Sequence, residues 1–150
     1  ASRPSEGWVM DVLHMTESTE KDVAVLVAID VFSRYCILLP IKAIDSDTIA
    51  QQALRGVFGG SGGVPLWVLT DGGAEFKGRF DALCSELGIE HKVSSPGHAQ
   101  SHGMVERLIA TTELTLAHFV DEDTKLWHEC VPFAQTAHNS TPHPALSLAP

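Results

Sequence analysis

The chain has 150 residues, with 10 Lys and Arg against 19 Asp and Glu, a formal net charge of −9. That length suits one domain and buries roughly 68–70% of the unfolded chain's surface, enough for a core of its own. With 44% hydrophobic and 19% charged residues the composition excludes general disorder, no apolar run approaches the ~18 residues of a membrane helix, no basic-then-apolar leader marks secretion, and the acidity argues against a phosphate-coating basic surface while leaving room for carboxylates gathered around divalent cations. Trp8 to Met15 reads as a first strand. Val23 to Val31, almost continuously apolar, suits a strand buried on both faces. Phe32-Ser33-Arg34 is a turn and Tyr35 to Ile41 a third strand, so the three form an antiparallel meander. Asp45-Ser46-Asp47-Thr48 offers helix caps, and Ile49, Ala53, Leu54, Val57 and Phe58 follow at helical spacing. The glycine-rich stretch Gly59–Gly63 is a flexible loop. Leu66 to Leu69 is a short strand that ends at Thr70-Asp71-Gly72-Gly73. Phe76, Phe80, Leu83, Cys84 and Leu87 mark an amphipathic helix stopped by Gly88, and Ile89 to Val93 is a fifth strand. Ser94 to Gly103 is a polar loop. Val105, Leu108, Ile109, Thr112 and Leu116 stripe another helix, a last helix runs from about Thr124 to His138, and Asn139 to Pro150 is proline-containing and extended. This order describes one mixed α/β domain.

The three cysteines, Cys36, Cys84 and Cys130, form no Cys-x-x-Cys pair, which fits free thiols in a reducing compartment. The abrupt start at Ala1-Ser2-Arg3-Pro4 reads as a segment of something longer.

Three acids have surroundings suited to chemistry. Asp11 lies inside the first strand among apolar neighbours, where a carboxylate needs a partner or a metal. Asp71 ends a strand before two glycines, which allow a tight turn and room for a ligand. Glu106 falls in the first turn of the helix after the polar loop. Each also has an ordinary reading. Asp11 could point to solvent from an edge strand, Asp71 could be a turn residue, and Glu106 could serve the helix dipole. His98 and His102 stand four apart without a cysteine pair, a poor basis for zinc. Trp8, Trp67, Phe76, Phe80 and Trp127 read as core.

Order and context connect the acids. Thr70-Asp71-Gly72-Gly73-Ala74-Glu75-Phe76 resembles the second-aspartate motif of retroviral and retrotransposon integrases. His98 to Arg107 resembles the segment carrying their catalytic glutamate. Ala28 to Tyr35 matches their second-to-third-strand hairpin, and Asn139-Ser140-Thr141-Pro142-His143 resembles the end of their core. The resemblance covers nearly the whole chain and is greatest to Gypsy-type and retrovirus-derived integrases. It implies a ribonuclease-H-like α/β fold, a five-stranded mixed sheet flanked by helices. It also implies that residues 1–150 are one catalytic core, without the amino-terminal zinc domain and carboxy-terminal DNA-binding domain of the family.

The implied chemistry is that of a DDE polynucleotidyl transferase. Asp11, Asp71 and Glu106 would be both catalytic residues and ligands of two Mg²⁺ or Mn²⁺ ions. The reactions would be 3′-end processing and strand transfer of element DNA into target DNA. Gln100, His102 and Arg107 are candidate DNA contacts. The implied partners are DNA and further copies of the chain, as a homodimer or higher oligomer, with no membrane and no small-molecule cofactor. The implied location is the nucleus or a virus-like particle. Some positions depart from the family. Ala99 replaces the usual Pro, and Ala110 and Glu113 leave the helix face beside Glu106 without a base. Two other readings stand beside this one: a ribonuclease-H-like nuclease, and a retained core serving as an oligomerisation or docking module.

Overall fold

The computed structural model describes residues 1–60, 63–94, 99–119 and 124–142. Strands β1 (Gly7–His14), β2 (Ala24–Asp30) and β3 (Cys36–Ile41) form the expected antiparallel meander. β4 (Trp67–Thr70) adds in parallel to the other side of β1, and β5 (Glu90–Val93) adds in parallel to β4. The five-stranded order is β3-β2-β1-β4-β5. β2 is buried at every residue, because its apolar run faces helices on both sides.

Strand alternation divides the core in two. Trp8, Met10, Leu26 and Val68 face α1 (Ser46–Gln52), its π-helical continuation Ala53–Phe58, and α2 (Arg79–Glu86). Val9, Leu13, Val25, Val27 and Leu38 face α3 (Ala99–Phe119) and α4 (Trp127–Ser140). The result is a helix–sheet–helix sandwich. Asp45 caps α1, its Oδ1 accepting the Thr48 N–H at 2.7 Å.

Four expectations need correction. The helix read from Phe76 to Leu87 is divided. Gly78 has φ +54°, so a 3₁₀ turn at Ala74–Phe76 ends there and α2 starts at Arg79. The polar loop read as Ser94–Gly103 does not extend to Gly103, because α3 is already helical at Ala99; residues 95–98 lie outside the described residues. Pro96 and Gly97 lie upstream, and Gly103 in the helix costs only about 1 kcal/mol relative to Ala. Trp67 is half-buried rather than core. It lies beneath Lys92, whose Nζ is 4.7 Å from the ring centroid, and against Gly7, where a Cβ would come within 2.1 Å of the ring. The extended end read for Asn139 to Pro150 begins later, since Asn139 and Ser140 close α4; residues 143–150 lie outside the described residues.

The outer edge of β3 is closed by side chains of α4. Asn139 accepts the Cys36 N–H at 2.8 Å through Oδ1 and donates to the Cys36 carbonyl at 2.9 Å through Nδ2. One turn earlier, Gln135 Oε1 accepts the Leu38 N–H at 2.8 Å. The next outward position is Pro40, which has no N–H. His138 Nε2 reaches the Arg34 carbonyl at 2.9 Å, just before the strand. An edge that would otherwise pair with another chain is satisfied within the molecule.

Candidate active site

β1 is flanked by β2 and β4, so Asp11 does not lie on an edge strand. The parallel register pairs Gly7 with Trp67, Trp8 with Val68 and Val9 with Leu69. The pairing ends two residues before Asp11 and two before Asp71, which therefore stand at equal offsets on neighbouring strands. Alternation gives Asp11 the face of Val9 and Leu13, and gives Asp71 the face of Leu69; all three apolar residues belong to the α3/α4 side. Strand order reverses between β1 and β4, which is where α/β sheets open a crevice at the strand carboxyl ends. Two half-buried carboxylates therefore share one side of the sheet at its switch point.

Local bonds hold each of them. Asp11 Oδ1 accepts the Val12 N–H at 2.7 Å. Asp71 Oδ1 accepts the Gly73 N–H at 2.9 Å, a turn built by the aspartate itself. The turn reading of Asp71 is thus correct, and it leaves Oδ2 for another role. The Glu75 carboxylate folds back over this turn, with Oε1 and Oε2 both 2.7 Å from where a Cβ on Gly73 would stand. A side chain at that position would push the Glu75 carboxylate aside. Glu75 was legible as an acid four residues after Asp71, but its return over the turn depends on the 3₁₀ geometry.

Glu106 is exposed on α3. It lies two turns into the helix rather than in the first turn, so the dipole reading loses its basis, because that effect fades within one turn. The buried stripe of α3 is Leu108, Thr112 and Leu116, and Glu106 flanks it one turn before the half-buried Ile109. Among the described residues, no group of three or more His, Cys, Asp or Glu side chains stands close enough to hold a metal ion. Asp11 and Asp71 follow the last β1–β4 pair at equal offsets on adjacent strands, and Glu106 is carried by α3, the helix on the Val9 and Leu13 side of the sheet.

Of the candidate DNA contacts, Arg107 is exposed and its Nε donates to the Gly103 carbonyl at 3.0 Å. Gln100 and His102 have helical backbone, but their side chains lie outside the described residues. Ala110, Glu113 and Leu114 are exposed on the same helix. A cavity of about 600 Å³ lined by Trp8, Asp30, Tyr35, Ile37, Gly56 and Gln135 includes neither Asp11 nor Asp71. Asp30, which the sequence presented only as part of a hairpin, is 1% exposed and structural. It accepts from the Ser5 N–H, the Ser33 N–H and the Ser33 hydroxyl.

Comparison with known proteins bears on the family and the fold. The sequence model of the family described as the integrase core domain matches residues 1–99, a span that holds Asp11 and Asp71 and stops before Glu106. The Gag-Pol polyprotein of Walleye dermal sarcoma virus is 27% identical over 148 residues, covering 94% of this chain and 8% of the polyprotein. The chain spans 8–25% of the length of viral polyproteins of this kind. Among solved structures, a simian T-cell lymphotropic virus intasome in complex with a PP2A regulatory subunit superposes with a TM-score of 0.78 at 22% identity, covering 93% of this chain and 50% of the other. The catalytic core domain of BIV integrase superposes with a TM-score of 0.74 at 23% identity, covering 93% and 86%. Both share the five-stranded, ribonuclease-H-like fold.

Proposed function

Starting from a chain that belongs to the integrase core domain family, we propose that it is the catalytic core of a DNA integrase of retroviral type, a polynucleotidyl transferase that joins element DNA to target DNA. The observation that supports this reading is the parallel β1–β4 pairing, after whose last pair, Val9 with Leu69, Asp11 and Asp71 stand at equal offsets on neighbouring strands.

Oxygen-only carboxylate donors suit hard divalent cations, and two half-buried acids on one face would repel each other without a cation. Asp11, Asp71 and Glu106 would hold Mg²⁺ or Mn²⁺. Bound there, such ions neutralise phosphate charge and favour an in-line displacement. The chain's own part is positional. β1 holds Asp11 within the sheet, β4 leads into Asp71 just beyond its last pair, and the turn that Asp71 makes with the Gly73 N–H orients its carboxylate. The two displacements would be trimming of a 3′ end by water and attack of the resulting 3′ hydroxyl on target DNA.

The exposed face of α3 carries Ala110, Glu113 and Leu114 and the net charge is −9. Neither grips a polyanion, so DNA would be held by parts of a longer protein, with assembly as a dimer or higher oligomer. Nuclear or virus-particle location follows from that role. No helix among the described residues is long and apolar enough to cross a membrane.

A disintegration assay on a branched oligonucleotide with Mn²⁺ tests the reading, since it asks only for the reverse of strand transfer. The chain should resolve the branch, and Asp11→Asn, Asp71→Asn and Glu106→Gln should each remove the activity. Full activity in Glu106→Gln would overturn the site assignment.

A further inference from the structure

We infer that Thr70, His91 and Asp81 form a hydrogen-bonded prop that positions Asp71 from the opposite face of the sheet, an inference that rests on reading Asp71 as an active-site carboxylate. Asp71 lies beyond both strand ladders. The β1–β4 pairing ends at Leu69 and the β4–β5 pairing ends at Thr70. Downstream stand Gly72 and Gly73, which have no side chains to pack. Sheet hydrogen bonds therefore do not fix this residue, and its anchors come from elsewhere.

Thr70 supplies them. It is 1% exposed and shares a face with Val68, on the α1/α2 side of the sheet. Its carbonyl accepts from the Ser94 N–H at 2.9 Å and the Ser94 hydroxyl at 3.1 Å. Its hydroxyl lies 2.9 Å from the Asp71 carbonyl and 2.7 Å from His91 Nε2. The other ring nitrogen, Nδ1, is held by the Asp81 carboxylate on α2. Phe80 packs edge-on against the imidazole at 5.1 Å, and the His91 side chain is 7% exposed. The hydroxyl has one hydrogen. Donated to the Asp71 carbonyl, it leaves the oxygen to accept from Nε2–H, an arrangement that takes a ring protonated on both nitrogens, with Nδ1–H donating to the Asp81 carboxylate. In this way an ion-pairing residue on α2 sets a ring on β5, the ring sets a hydroxyl on β4, and the hydroxyl holds the backbone of Asp71.

A threonine, a histidine and an aspartate in sequence have the form of a nucleophilic triad. Burial excludes that use, because a hydroxyl 1% exposed receives no substrate. The group that profits is its neighbour. Asp71 places its carboxylate on the α3/α4 face while its main chain is tied to the α2 face, so a small shift of Thr70 displaces the carboxylate. Support of this kind is what keeps reacting groups within the narrow tolerance that catalysis needs.

Thr70→Val keeps the shape of the side chain and removes the hydroxyl; Thr70→Ser restores it. In the metal-free 150-residue chain, exchange of the Gly73 amide, which donates to Asp71 Oδ1, should accelerate about tenfold in Thr70→Val, the equivalent of one lost hydrogen bond. Thr70→Ser should return to within about twofold of the parent chain. Asp81→Asn, at an exposed site that folding tolerates, should accelerate the same amide about threefold. Mn²⁺ affinity should weaken about tenfold in Thr70→Val and recover in Thr70→Ser. Gly73 exchange unchanged in both Thr70→Val and Asp81→Asn overturns the prop. A parent chain that binds no Mn²⁺ overturns the metal role of Asp71 instead, and the exchange measurement then decides the prop separately.

Discussion

Asn139→Ala tests how the sheet is terminated. The side chain makes two bonds, to the N–H and the carbonyl of Cys36, at 2.8 and 2.9 Å. Cys36 is fully buried, so water reaches its backbone poorly once the amide is gone. One hydrogen bond is worth about 1 kcal/mol net, and a buried group left unpaired costs about 1–3 kcal/mol. For two groups beside a half-buried Asn139, the loss should be about 2–4 kcal/mol. In a domain of this size each kcal/mol moves Tm by about 2–4 °C, so the midpoint should fall by roughly 5–12 °C. Gln135→Ala removes one bond, to the Leu38 N–H, and should cost about half as much. Urea unfolding of both variants gives the free energies, and amide exchange at Cys36 reports whether the loss is local. A cost below about 0.5 kcal/mol for Asn139→Ala, or a larger one for Gln135→Ala, would refute the view that α4 closes the edge of β3.

Other outcomes follow from the same structure. Mg²⁺ or Mn²⁺ at about a hundred times its Kd should stabilise the chain by about 2.7 kcal/mol, read as a rise in Tm; Asp11→Asn and Asp71→Asn should each abolish the rise, and an undiminished rise in either would refute the pairing of these two acids. Gly7→Ala should destabilise the β1–β4 junction, since the new Cβ would meet the Trp67 ring at 2.1 Å; Gly7→Ala combined with Trp67→Ala should recover part of the loss in calorimetry, as a relieved clash does. Burial pushes the Cys36 thiol up to about 12, and burial together with the Asp81 charge pushes the Cys84 thiol up to about 11. The folded chain therefore keeps protons that the unfolded chain releases near pH 9. The stability these thiols contribute is complete below that pH and declines as pH rises toward 11 and then 12, which urea titrations across this range would show. At pH 8 a thiol reagent should reach the half-buried Cys130 before the other two, and fast reaction at Cys36 or Cys84 in the native chain would contradict their burial.

The sequence by itself determined the strand meander, the fully buried second strand and the identity of the acids. Those features are local. Apolar runs, capping residues and glycines act on their immediate neighbours, and β2 declares its burial through composition alone. The motif at Asn139 was also visible, but not its purpose; that it closes an edge strand follows from contacts with residues about a hundred positions away. Only the tertiary structure decided that β1 is central, so that Asp11 does not lie on an edge strand, and that β4 joins it in parallel. It also moved the start of α3 back to Ala99, because a polar stretch holding Pro96, Gly97 and Gly103 reads as loop until the fold shows the backbone from Ala99 to be helical. The prop beneath Asp71 was the least legible part. Thr70, Asp81 and His91 are ordinary residues on three separate elements, and nothing in their spacing announces a common function. Parallel strands are paired by long connections whose register no local pattern encodes, so what lies across from an active-site residue is a property of the fold.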